Sequence, residues 1–419
     1  MNKLATWLNS LSEGHRPSFA ECTSYLSAYF PLLLEFERTP QDNQWHAEGN
    51  VEIHTDMVLQ QTYRLFDNEA HHLTGCQQRI LILSALLHDI AKPLTTREKE
   101  INGEWRIVAP KHEEVGAAYL ATRLIQLPLN HSDILTVTGL VGWHQQPKLL
   151  VVRDKDYAEY FALSRNAELE LIYWLELADM RGRTCADLAQ QIDLLEQYKL
   201  FAQDFGLWSQ TMNCQRHLVE LQVKNDKSQQ CYLDNVATYQ LVHDEIKTAP
   251  QAIAKNYSAG KNYSHLYVTC GVSGSGKSNW IAANLPDFEV ISLDDIRGEI
   301  SGKSDCQKHR GQVLQLAKQR LKFALANKIN VVWDATNIRY DFRKIICDLG
   351  INYGALVTMV IFQVEEKTLR RNNANRQRNV DDQVIDSQLD KLQWPWPTEA
   401  HRTLYIGEKG VKLNHFGKF

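Results

Sequence analysis

HLYVTCGVSGSGKS, residues 265–278, decides the fold of the C-terminal third of this chain. Its first six residues are rich in the β-branched and aromatic types that favour a strand. The remainder, from Gly271 to Ser278, satisfies G-x-x-x-x-G-K-[ST] in full, and a helical pattern begins at Lys277. Strand, glycine loop and helix in that order form a phosphate cradle. The glycines let backbone N–H groups approach phosphate oxygens, and the helix N-terminus adds its dipole. Gly271, Ser273, Gly274, Ser275 and Gly276 are expected to shape the cradle, Lys277 to hold the β/γ-phosphates of an NTP and Ser278 to hold its Mg²⁺.

Working outward, three more apolar, β-branched runs follow at 288–293, 330–334 and 355–364, separated by helical stretches such as 311–327. Strands alternating with helices predict a parallel sheet with crossover helices. This α/β module is assigned to 263–419. Upstream, residues 56–210 show apolar spacing of three and four, which predicts helices, with Pro128, Gly142 and Pro147 between them. The fold class expected is therefore multidomain α and α/β: an all-α domain over 1–185, a helical connector over 186–262 and a P-loop domain with a parallel sheet. The connector carries no recognisable chemistry; its His243-Asp244 dyad lacks companion histidines.

The all-α domain carries a second constellation: His54, His88, Asp89, His112, His144 and Asp179. Residues 81–91 read as a strongly apolar helix stopped by Pro93, with His88 and Asp89 near its end. Mixed imidazole and carboxylate donors suit Mn, Fe, Co, Ni or Zn better than Mg or Ca. His54, His88, Asp89 and Asp179 suffice for one metal, and His112 and His144 supply a second or contact a substrate phosphate. A metal lowers the pKa of a water it binds, to about 7 in favourable zinc sites, which makes a nucleophile for phosphorus. His71, His72 and His131 are read as ordinary core or surface histidines.

Around these residues the chain resembles the HD phosphohydrolase superfamily over about 45–185. The likeness is carried by WHAEGNVEIH (45–54), His88-Asp89-Ile90-Ala91-Lys92, Lys111-His112-Glu113-Glu114-Val115-Gly116, Gly142-Trp143-His144 and Leu177-Ala178-Asp179-Met180-Arg181-Gly182. Spacing and flanks are similar to the HD domain that accompanies tRNA nucleotidyltransferases. The resemblance implies a metal-dependent phosphohydrolase, with Lys92 contacting a phosphate. The superfamily includes dNTPases, cyclic-nucleotide phosphodiesterases and alarmone hydrolases, so the fold alone does not select the substrate.

In the C-terminal module, Ser292-Leu293-Asp294-Asp295-Ile296-Arg297 places an acid where the second strand ends, in a position to take a proton from an acceptor hydroxyl. The segment resembles the bacteriophage polynucleotide kinase family, which implies Asp294 as general base and Arg297 on the acceptor's terminal phosphate. Asp334, in Asp334-Ala335-Thr336-Asn337, is similar to the next motif of that family and is expected to hold a magnesium-bound water. Residues 370–378 carry four arginines, which reads as a lid closing over the donor. One extra residue between Arg371 and Arg376, relative to that family's pattern, leaves both Arg376 and Arg378 as lid candidates. The pairing of the two modules resembles the bacterial HD-Pnk family, which implies phosphorylation of 5′-OH ends and removal of 2′,3′-cyclic, 2′- or 3′-phosphate.

Composition sets the outer bounds. The net charge of −4 argues against a generic nucleic-acid binder, yet residues 263–419 hold 22 Lys+Arg against 17 Asp+Glu, leaving 24 against 33 in 1–262. A basic C-terminal module is compatible with a polyanion. Eight scattered cysteines with no CxxC pair favour reduced thiols, and no signal-peptide or membrane-spanning pattern is read, so a cytoplasmic location is expected. The expected partners are RNA or DNA ends, an NTP (ATP or GTP) with Mg²⁺, one or two divalent transition metals and an RNA ligase in the same pathway. A homodimer is compatible with this reading. Two alternatives stay open: a small-molecule kinase fused to a nucleotide phosphohydrolase, and an NTP-gated HD hydrolase.

Overall fold

The computed structural model describes residues 3–223, 226–301, 309–376 and 379–419. The chain divides into two units, Met1–Cys214 and Gln215–Phe419. In the first, Gly75–Leu87 is central: every residue from Ile80 to Leu87 is buried. A helix apolar on all sides needs neighbours on all sides. Val51–Asn68, His131–Trp143 and Leu169–Arg181 pack around it. Thr74 and Gln77 close a capping box at its start, which satisfies two of the N–H groups that a helix N-terminus leaves unpaired.

The helical stop falls earlier than the sequence pattern predicts. The helix ends at Leu87 with His88 as its C-cap, so Asp89 lies beyond it on a turn. Pro93 stands in the first turn of a new short helix, Lys92–Thr95. Proline's missing N–H costs nothing there, so it starts that helix and does not end the earlier one.

The N-terminal unit is helical, with one exception that periodicity did not reveal. Strands β1 (Arg97–Ile101) and β2 (Glu104–Val108) form an antiparallel hairpin. Their two-residue turn is Asn102-Gly103, with φ of 52° and 85°. Both central residues left-handed is the turn geometry that matches strand twist, and Asn-Gly favours it most. The hairpin delivers the chain to His112 four residues after β2.

The stretch 186–262 is shared between the units. Leu188–Asp204 packs on Leu169–Arg181 and on Gln146–Val152, whereas Lys227–Val242 and Gln251–Asn256 belong to the second unit.

The second unit is built on a six-stranded sheet. Its strands are β3 (His265–Cys270), β4 (Glu289–Ser292), β5 (Val331–Asp334), β6 (Leu356–Phe362), β7 (Arg402–Ile406) and β8 (Lys412–Phe416), in the spatial order β4-β5-β3-β6-β7-β8. The first five in chain order run parallel, and β8 is antiparallel to β7. All seven residues of β6 are buried, as a central parallel strand covered on both faces requires. The glycine loop follows β3, where the strand order reverses. The C-terminal strand ends leave a crevice there in open α/β sheets. No described helix is long and apolar enough to cross a membrane.

Candidate active sites

In the N-terminal unit, the ends of five helices converge. His54 sits in the first turn of Val51–Asn68, which Asn50 caps by accepting from the Ile53 N–H. His88 and His144 are C-caps, and His112 opens His112–Ala121. Asp179 lies near the end of Leu169–Arg181. Every one of the six is buried.

The backbone orients three of the imidazoles in the same way. Nδ1 of His88, His112 and His144 each lies 2.8 Å from the carbonyl three residues earlier, on Ala85, Ala109 and Val141. Donation from Nδ1 fixes the tautomer that leaves Nε2 with a free lone pair. The Nε2 atoms then meet: His54 and His88 are 3.4 Å apart, and His112 and His144 3.3 Å. Carboxylates close the gaps. Asp179 Oδ1 is 3.0 Å from His54 Nε2, Asp89 Oδ2 is 3.1 Å from His88 Nε2, and Asp89 Oδ1 is 3.2 Å from His112 Nε2.

The six therefore group as two trios, His54/His88/Asp179 and Asp89/His112/His144. Asp89 turns one oxygen toward each. Buried imidazole nitrogens that face one another beside two buried carboxylates have the donor set and spacing that divalent cations take. His54, His88, Asp89, His112, His144 and Asp179 are the residues that would hold the metals.

Electrostatics hold the carboxylates ionised. Burial would raise both, but His88, Lys92 and His112 around Asp89 hold it well below the usual range. Arg183, His54 and His88 do the same for Asp179. Burial pushes His144 well down, helped by His112 and His88, and so keeps it neutral. Burial also opposes charge on His88, but Asp89 and Asp179 outweigh it and raise that ring. Lys92 Nζ stands 2.7 Å from Asp89 Oδ2 and donates to Gln41 Oε1 at 2.5 Å.

Three partners here were not picked out in the sequence. Arg183 donates to both oxygens of Asp179, one turn along from it. Glu48 lies 3.0 Å from His54 Nδ1 and 2.8 Å from His46 Nδ1. Glu176 is fully buried with its Oε1 3.0 Å from Lys148 Nζ, and burial pushes its carboxyl up to about 7 against the pull of that lysine.

In the C-terminal unit, residues 273–278 line a cavity of about 670 Å³ together with Asp294, Arg297, Asp334 and Arg376. Gly271 lies at its root, its N–H donating to the Thr336 carbonyl at 2.9 Å. Gly274 has φ +86°, and a Cβ there would fall 2.4 Å from the Leu369 carbonyl oxygen. Only glycine lets the loop and the helix Glu366–Ala374 approach this closely. Asn372 Nδ2 ties that helix to the Gly274 carbonyl at 3.0 Å. The expected lid helix thus stands over the phosphate loop, with Arg376 at its end. Arg378 lies outside the described residues.

Lys277 Nζ donates to the carbonyls of Gly271 at 2.9 Å and Val272 at 3.1 Å. Ser278 Oγ donates to Asp334 Oδ2 at 3.3 Å. A hydroxyl paired with an acid at a strand end suits Mg²⁺. Burial raises the Asp334 carboxyl, opposed by Lys277 and Ser278. Asp294 opens the helix Leu293–Ser301 after β4, and Arg297 Nη1 donates to its Oδ1 at 2.6 Å. One further stretch of cavity wall, Glu408, Lys409 and Gly410 between β7 and β8, carries no phosphate-binding motif and was not anticipated. Glu408 Oε1 pairs with Arg371 Nη2 at 2.7 Å.

Comparisons with known proteins agree with this division. Residues 51–170 match the HD domain family and residues 266–395 an AAA domain family. Over 87 residues the chain is 36% identical to the Multifunctional CCA protein of Shewanella frigidimarina, a stretch covering 21% of this chain and 16% of that protein. Over 173 residues it is 29% identical to the Bifunctional uridylyltransferase/uridylyl-removing enzyme of Hydrogenovibrio crunogenus, covering 38% of this chain and 18% of that protein. The chain thus spans less than a fifth of the length of either relative. It is a fusion of an HD domain with a P-loop, kinase-like domain.

Proposed function

We propose that this chain heals polynucleotide ends, phosphorylating a 5′-OH with an NTP and hydrolysing a 2′,3′-cyclic, 2′- or 3′-phosphate on the opposite end. The observation that carries the reading is a pairing. One chain holds a buried His/Asp cluster with metal-donor geometry and a P-loop cavity that Asp294 and Arg297 also line. Many ribonucleases leave a cyclic phosphate and a 5′-OH, and a ligase commonly requires the reverse. A partner RNA ligase, a cytoplasmic setting and a homodimeric state belong to the same proposal.

In the kinase cavity, Lys277 exchanges its loop carbonyls for the β/γ-phosphates of ATP or GTP, and Ser278 with Asp334 holds Mg²⁺ and its water. Asp294 takes the proton of the 5′-hydroxyl, and Arg297 turns to the phosphate next to the acceptor. Arg376 and Arg378 are the candidates to offset charge on the transferring group. In the HD cluster, two divalent transition metals (Mn, Fe, Co, Ni or Zn) would, when bound, supply an activated water and offset phosphate charge. The six ligands hold that centre in place, and Lys92 beside Asp89 meets the substrate phosphate.

The test is a gel assay with a short RNA bearing a 5′-OH and a 2′,3′-cyclic phosphate, radiolabelled NTP and Mg²⁺, Mn²⁺ or Ni²⁺. Label arriving at the 5′ end while the 3′ phosphate is lost supports the proposal. Neither change in a folded, metal-loaded protein refutes it. Label on mononucleosides with no preference for oligonucleotides favours the small-molecule kinase.

A further inference from the structure

The two trios of the HD cluster are supported by different means, and the difference sits at Glu48. Of the four ligand imidazoles, His88, His112 and His144 are oriented by backbone carbonyls. Nδ1 of His54 instead faces a carboxylate, Glu48 Oε1 at 3.0 Å, approached obliquely to the ring N–H. That carboxylate is almost wholly buried, 2% exposed, and is held on three sides. His46 Nδ1 lies 2.8 Å from the same Oε1, and the Thr184 N–H donates to Oε2 at 2.9 Å. The His46 ring packs edge-on against His54, with centroids 4.8 Å apart. The Ala47 N–H donates to the Thr184 carbonyl at 3.1 Å, which locks the two segments together. Next to Thr184, Arg183 grips Asp179, the other acidic member of the same trio.

We infer that Glu48 is a positioning residue for one metal position only, that of His54/His88/Asp179, and makes it the tighter of the two. The inference rests on the metal reading of the cluster proposed above. A carboxylate behind a ligand imidazole fixes its orientation and raises its basicity more than a carbonyl does, because it carries a full charge. Here it also cannot move away, since all of its contacts come from buried or backbone groups. In the trio of Asp89, His112 and His144 the carboxylate stands farther off: Glu113 Oε2 lies 3.6 Å from His112 Nδ1, is 24% exposed, and that nitrogen already donates to the Ala109 carbonyl at 2.8 Å. Its two imidazoles turn Nδ1 to backbone carbonyls, those of Ala109 and Val141.

The experiment is a Co²⁺ titration of the full chain, followed by calorimetry and by the visible absorption of the bound ion, in the wild type, Glu48→Gln and His112→Gln. Wild type is expected to bind two equivalents with unequal affinity. In Glu48→Gln the tighter equivalent should weaken by about 10–100-fold, the usual effect of losing such a partner, while the weaker one shifts by less than about threefold. In His112→Gln the tighter equivalent should persist. Circular dichroism checks folding. If Glu48→Gln unfolds, Glu48→Asp, which keeps the charge but withdraws it from His54, should weaken the same equivalent. A folded Glu48 variant that titrates like wild type, or loses both equivalents alike, overturns the inference. A wild type that binds no Co²⁺ overturns the metal reading itself, and the role of Glu48 with it.

Discussion

The HD cluster and the kinase cavity handle phosphate in structurally opposite ways. In the first, the working groups are buried, and their donors are preset by helix ends and backbone carbonyls. In the second, they line an open cavity and are paired among themselves: Lys277 with loop carbonyls, Asp294 with Arg297, Glu408 with Arg371. The difference follows from what each must do. A metal centre needs ligands held close to the binding geometry before the ion arrives, because ordering buried side chains afterwards would cost affinity. A phosphoryl-transfer cavity must admit two large substrates, so its charges are parked on one another until substrate takes them over. Exposed ion pairs are worth only about 0–1 kcal/mol, which keeps such exchanges inexpensive.

The largest way to separate the two regions is metal removal. Chelation followed by dialysis into Mg²⁺ alone should suppress phosphate removal to the detection limit of an end-phosphate assay, and Mn²⁺ should restore it. Phosphorylation should persist throughout, since hard oxygen donors suffice for its metal. Equal loss of both activities would break the comparison.

A smaller effect is expected at the acceptor wall. Arg297→Ala should raise the KM for a 5′-OH oligonucleotide by about tenfold, the scale of one charge-assisted contact. NTP affinity, measured by calorimetry, should not change. Below that, Glu408→Ala, which releases Arg371, should alter the KM for NTP by no more than a few fold, since the pair is exposed on both sides.

The subtlest test concerns Glu176. Burial lifts its carboxyl from an ordinary value to about 7 in the folded chain. Between about pH 4.5 and 7 the unfolded chain has therefore released a proton that the folded chain keeps, and this group makes stability fall as pH rises. Glu176→Gln should flatten the decline in thermal midpoint across that window. Parallel curves for the two proteins would show that Lys148 already compensates the charge.

Much of both sites was legible in the sequence, for different reasons. The phosphate loop is local, with strand, glycines, lysine and serine contiguous, so reading it required no tertiary information. The HD ligands are dispersed over 126 positions from His54 to Asp179 and were found by their order and flanks. A second set from His112 and His144 was among the expectations, but that Asp89 groups with it and turns one oxygen to each set was not foreseen, because it depends on where the helix before His88 stops. The proline-based boundary placed that stop too late. The hairpin of β1 and β2 was missed although Ile101-Asn102-Gly103-Glu104 announces it, because helical periodicity on both sides dominated the reading. Arg183 and Glu48 were missed because a supporting ion pair has no motif. The spacing from Asp179 to Arg183 is a helical turn, but from Glu48 to His54 it is a loop folding back on the helix it precedes. The Glu408–Gly410 wall is set by the β7–β8 connection, and neither of those strands was anticipated.

The central claim is that one chain carries two independent phosphate sites acting on opposite ends of a polynucleotide. Its most direct test uses Lys277→Ala and Asp89→Ala proteins, alone and mixed, on an RNA with a 5′-OH and a 2′,3′-cyclic phosphate, with products resolved by mass spectrometry. The account predicts that Lys277→Ala only removes the 3′-end phosphate, Asp89→Ala only adds the 5′ phosphate, and the mixture does both. A folded variant that has lost both activities, or one that has lost neither, would contradict it.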